Sequence, residues 1–172
     1  MNIVKQAGSS TTATQLNAKL QTPLNIVYYP DLQYIDNIDQ LLKDKSSFIL
    51  MYQKSPEFGH WVLVSKSRQY PLTLEYFDPL GGSVDKYLNE FQYSQGAQYP
   101  GSNYLTHRMQ KSRYKDLLWN GVDLQKDSPD IQTCGKWCLL RHLLLFVPLD
   151  EFVNFFGSLD PDYRDLFLGV VM

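Results

Sequence analysis

Cys134 is the residue whose neighbours best suit it to act as a nucleophile. It stands in Gln132-Thr133-Cys134-Gly135-Lys136-Trp137-Cys138, where the pattern predicts the first turn of a helix from Cys134 to Val147. A thiol there meets unsatisfied backbone N–H groups and the positive end of the helix dipole, and both favour the thiolate. Gly135 beside it lets another backbone or a substrate approach closely. The plainer alternative is a small buried residue that happens to begin a helix. A thiol nucleophile needs a base, and the chain has three histidines. His60, in Gly59-His60-Trp61-Val62, opens a strand after a glycine turn and can project into a cleft as general base. His107 lies in a polar, exposed stretch, and His142 is two turns along the cysteine helix, away from the nucleophile end. The acid that would orient the imidazole is Asp78, closing the next strand in Phe77-Asp78-Pro79-Leu80-Gly81, with Glu75 as competitor. Strand alternation puts these two carboxylates on opposite faces, so only one can serve. The oxyanion of acyl transfer needs donors, and the Cys134 N–H plus a glutamine amide, Gln125 or Gln132, would supply them. Cys134, Cys138 and His142 also recur every four residues on one helix face, but they match no known finger spacing and lack a fourth ligand. No metal site is expected, and Cys138 reads as a small core residue.

The elements that position these residues read as α+β. Three compact runs, Phe48–Tyr52, Trp61–Val64 and Leu72–Phe77, are rich in aromatic and β-branched residues and joined by short links. Such links favour antiparallel neighbours. A short helix carries Ala13, Leu16 and Leu20, an extended segment runs from Leu24 to Tyr29, and Ile35 to Leu42 has helical spacing. Ser83 can cap a helix presenting Val84, Tyr87, Leu88 and Phe91. Residues 94 to 103 read as a loop, and Leu117 to Gln125 as a strand bent at Asn120-Gly121. The cysteine helix is apolar nearly all round and belongs inside the fold. Pro148 ends it, and helices over about 150 to 156 and 161 to 168 finish the chain.

Composition bounds the rest. The 172 residues fit one domain, with residues 1–12 a polar N-terminal arm. Sixteen basic and 18 acidic side chains give a net charge of −2, which excludes a strongly basic nucleic-acid coat. No apolar run reaches the roughly 18 residues of a spanning helix, so no membrane partner is expected. Two cysteines four apart are no secreted disulfide framework, and a reducing compartment is the default.

In order, Gly59-His60-Trp61-Val62-Leu63-Val64, Tyr76-Phe77-Asp78-Pro79-Leu80-Gly81, Gln125 and Cys134-Gly135-Lys136-Trp137-Cys138 resemble the adenovirus-type (adenain-like) maturation proteases. They resemble the related ubiquitin-like-protein proteases that process SUMO as well. The similarity spans residues 59 to 138. It implies a papain-like cysteine protease fold, with a mostly antiparallel sheet packed on the helix that carries the nucleophile. It implies Cys134 as nucleophile, His60 as base, Asp78 as orienting acid and Gln125 as oxyanion donor. Trp61 and Gly135 would help shape a narrow channel selective for glycine-containing sites. Two departures stand out. Gln125 is nine residues before the cysteine where the family has six or seven, the extra length falling in Lys126–Ile131. The acid is Asp where the adenovirus enzymes use Glu. Small size resembles the viral branch, which implies capsid or core precursors as substrates and a place in the virion and in the host cytoplasm or virus factory. A monomer needing no cofactor is expected. Some family members are activated by a peptide or by DNA, and Arg108, Lys111, Arg113 and Lys115 form a basic cluster that could track phosphates, or simply a solvated face. Two other readings of the same scaffold are a deconjugating protease or acyltransferase for ubiquitin-like modifiers, and an inactive binding module.

Overall fold

A computed structural model describes residues 13–18, 24–54, 59–89, 103–127 and 132–172. Its frame is a five-stranded sheet in sequence order. The strands are β1 (Ile26–Tyr28), β2 (Ser47–Gln53), β3 (Gly59–Lys66), β4 (Thr73–Phe77) and β5 (Asp116–Trp119). The helices are α1 (Ala13–Ala18), α2 (Asp39–Leu42), α3 (Tyr104–Gln110), α4 (Cys134–Leu143), α5 (Leu149–Gly157) and α6 (Pro161–Val171).

The three central strands pair antiparallel, as their short links require, with Tyr52 opposite His60 and Leu63 opposite Phe77. Both flanking strands pair parallel: Val27 lies opposite Leu50, and Leu74 opposite Leu117. The expectation of a mostly antiparallel sheet therefore holds for the centre and is corrected at the edges, giving a mixed α+β sheet. Each parallel pair needs a long crossover. The one before β2 contains a 3-10 turn over Tyr29–Tyr34 and α2, and the one before β5 contains α3.

These crossovers cover a second face of the sheet, which explains why the strands read as nearly unbroken apolar runs. Ile49, Met51, Trp61, Leu63 and Phe77 pack on one face with Trp137, Leu139, Phe152, Phe156 and Leu168. Phe48, Leu50, Tyr52, Val62, Val64 and Tyr76 point the other way, onto Tyr29, Leu32, Ile38, Leu42 and Leu105. The strict alternation of strand side chains sorts the two sets.

Several element boundaries differ from the periodicity. The helix expected over 35–42 shrinks to α2 because the Asn37 side chain accepts the Asp39 N–H (3.0 Å), a local bond that competes with an earlier helical turn. The helix expected after Ser83 is a 3-10 turn, Lys86–Asn89. Asp85 just before it adopts φ +60°, and its carboxylate accepts the Tyr52 hydroxyl and the Thr106 N–H and hydroxyl. Phe91, residues 94–102 and the arm at 1–12 lie outside the described residues. The cysteine helix stops at Leu143, because Arg141 Nη1 donates to the carbonyls of Leu144 and Val147 and turns the chain. Its interior position therefore holds for Cys134 to Arg141, whereas Phe146 is 63 % exposed. β5 ends at Trp119, and Gly121 turns the chain with φ +61°. Among the described residues, the periodicity announces neither the 3-10 turn Tyr29–Tyr34 nor α3, a polar helix after Asn103.

Candidate active site

The site forms where the start of β3, the end of β4 and the first turn of α4 converge. Gly59 precedes the histidine because a Cβ there would lie 2.1 Å from the Tyr52 carbonyl oxygen, so only glycine lets β2 and β3 approach this closely. His60 then projects from the strand end, 5 % exposed. Its Nε2–H donates to Asp78 Oδ1 at 2.7 Å. The Cys134 thiol hydrogen-bonds the same imidazole. With Nε2 committed to Asp78, Nδ1 is the ring nitrogen left for the sulfur. The structure thus brings Cys134, His60 and Asp78 together in one buried row.

Electrostatics follow from that row. Burial alone would push the His60 imidazole toward neutrality. The hydrogen bonds with Asp78 and Cys134, and the charges behind them, outweigh it and raise the imidazole to about 9. Cys138, one helical turn on, is fully buried without such a partner. Burial pushes its thiol well above the ordinary cysteine range, and the neighbouring Cys134 and Asp78 add to that.

Asp78 is itself held firmly. Its N–H donates to Asn120 Oδ1 (2.9 Å), and Asn120 Nδ2 donates back to the Asp78 carbonyl (2.6 Å) and to Val122 (2.8 Å). The Leu80 N–H donates to Asp78 Oδ1 at 2.8 Å, closing a turn in which Gly81 takes φ +68°. Asn120 is a site-building residue that sequence reasoning missed. Asn-Gly there signalled a bend, and nothing local signals that the Asn side chain straps a strand 42 positions away. Glu75, the competing carboxylate, is spent elsewhere: its Oε2 accepts Arg141 Nη2 at 2.7 Å on the helix side of the sheet.

The two glutamines separate clearly. Gln125 is 7 % exposed, and its N–H joins that of Leu124 in donating to the carbonyl of Pro79, the residue after the acid. Gln132 is exposed. Trp61 is 1 % exposed and faces the helix-side core, so it backs the wall beside His60 and offers no open surface of its own. Gly135 is likewise buried in α4. His142 contacts Ser47 Oγ through Nδ1 at 2.7 Å, far along α4 from Cys134, so Cys134, Cys138 and His142 do not converge as ligands. Among the described residues no cluster suited to a metal occurs.

The basic cluster is largely committed to its own surroundings. Arg108 donates to the carbonyls of Leu32 and Gln33, Lys115 Nζ to that of Ser112, and Arg113 to the Tyr114 hydroxyl. Among the described residues no helix is long and apolar enough to cross a membrane.

No protein-family model matches the chain. It is 30 % identical over 149 residues to the uncharacterized protein V9 of Sputnik virophage, a match covering 84 % of this chain and 82 % of V9. That span reaches across most of the fold, and on it the chain belongs to the family of the virophage V9 protein.

Proposed function

We propose that the protein is a cysteine endopeptidase that processes viral capsid or core precursors, at glycine-containing sites, as the adenain-like resemblance implies. One observation carries this reading: a buried imidazole hydrogen-bonded on one side to Asp78 and on the other to a cysteine at the start of a buried helix. An imidazole raised to about 9 is protonated at neutral pH, so it can give its proton to a leaving amine. Kinship to a virophage protein supports a viral setting, in the virion or the infected cell.

In this mechanism the Cys134 sulfur attacks the scissile carbonyl. The Cys134 N–H and the Gln125 amide stabilise the oxyanion. His60 gives its proton to the leaving amine, then takes one from the water that hydrolyses the acyl-enzyme. Asp78 holds the ring in the required orientation throughout.

The test is incubation with a candidate capsid precursor and, in parallel, with a ubiquitin-like fusion, reading the products by mass. Cleavage of the precursor that disappears in Cys134→Ala is the expected result. Cleavage of the fusion alone would favour deconjugation. With neither cut, and Cys134 alkylated no faster than Cys138, the enzymatic reading fails.

A further inference from the structure

We infer that Asp165, on the C-terminal helix α6, is the positioning residue that shapes the oxyanion site, an inference that rests on the protease reading above. Asp165 is 4 % exposed. Its Oδ1 accepts the Thr133 hydroxyl at 2.7 Å, and its Oδ2 accepts the Lys126 N–H at 3.3 Å. One carboxylate therefore grips the residue after Gln125 and the residue before Cys134. The neighbouring Arg164 donates to the carbonyls of Asp123 and Leu124, so the same helical turn brackets Gln125 from the other side.

The grip on Thr133 has a second consequence. Thr133 occupies the N-cap position of α4, where a threonine hydroxyl ordinarily accepts a first-turn N–H. Here it caps nothing; it donates to Asp165 instead. Thr133 therefore does not spend its hydroxyl on the first turn of α4, whose Cys134 N–H lies beside the sulfur, where the developing oxyanion needs donors. Asp165 thus sets both halves of the oxyanion site, the glutamine segment and the helix start, without touching the reacting atoms. Burial raises its carboxyl above the ordinary range, and the bonds from Thr133 and Lys126 pull it back.

Two reagents separate this role from general support. Iodoacetamide alkylates a thiolate by displacement and needs no oxyanion donor. p-Nitrophenyl acetate acylates it through a tetrahedral oxyanion: the sulfur–acetyl bond forms as p-nitrophenolate leaves. In Thr133→Val and Asp165→Asn the rate of p-nitrophenolate release should fall about tenfold or more, since small displacements of catalytic groups cost that much. The iodoacetamide rate at Cys134 should stay within about twofold, because it bypasses the oxyanion site. Thr133→Ser, which keeps the hydroxyl, should restore acylation. A parallel fall in both rates, or no change in either, would overturn the inference, and Thr133→Val answers the question should Asp165→Asn not fold. Where wild type releases p-nitrophenolate no faster than Cys134→Ala, the protease reading itself fails and this role goes with it. Selective wild-type reaction at Cys134 with unaffected variants sinks the role of Asp165 alone.

Discussion

The two ends of α4 hold similar groups put to opposite use. At its start, His60 meets Asp78 at 2.7 Å; near its end, His142 meets Ser47 at the same 2.7 Å. His60 is raised to about 9, whereas burial and the nearby Arg68 lower His142. Distance is equal, so the partner's charge decides: a carboxylate stabilises imidazolium, and a hydroxyl beside a guanidinium does not. The remaining charges near the far end cancel internally, in the buried Arg141–Glu75 pair, with the guanidinium also stacked 5.1 Å over the Phe152 ring. One end keeps a polarised pair aimed at a sulfur, and the other spends its charges on holding the chain together.

The sharpest way to break this comparison is to remove the reactive groups. Cys134→Ala should abolish turnover, with the melting temperature within a few degrees of wild type in a thermal scan. His60→Ala should cost about 10²–10⁴-fold in rate. Next in size, Arg141→Ala leaves Glu75 as an uncompensated buried charge and should destabilise by about 3–5 kcal/mol in urea unfolding. A variant that keeps its stability would show that the far end is not the structural one. Asp78→Asn keeps the shape but removes the charge, so the upper limb of the pH–alkylation profile of Cys134 should move to lower pH.

The smallest effects concern stability against pH. His60 is raised above its unfolded value of 6.5, so its contribution is complete below pH 6.5 and fades as pH rises through about 9. The stability gap between wild type and His60→Gln should therefore narrow over that window. His142 is lowered, so its contribution is present above 6.5 and lost as pH falls below it. The gap for His142→Gln should narrow on the acid side. Opposite slopes in pH-resolved melts would confirm that the two imidazoles differ in sign.

Much of this arrangement was legible beforehand, for local reasons. Gly59-His60 and Phe77-Asp78-Pro79 mark strand ends by turn chemistry, and the opposite parity of Glu75 and Asp78 already shows that only one of them can face the histidine. The parallel pairing of β1 and β5 was not legible, because it depends on crossovers whose elements, a 3-10 turn and the polar helix α3, carry weak periodicity. The resemblance already favours Gln125 over Gln132, and the structure adds that Gln125 is buried beside Pro79 whereas Gln132 is exposed.

By itself, the sequence determined which groups could react and the order in which strand and helix present them. Those properties depend on side-chain chemistry and on short-range periodicity. Tertiary structure alone decided which imidazole became cationic and which carboxylate faced it. It also decided that Asn120, Thr133 and Asp165 would brace the site from distant segments. Hydrogen bonds and charges act over a few ångströms of space, and no regularity along the chain records which residues folding will bring within that reach.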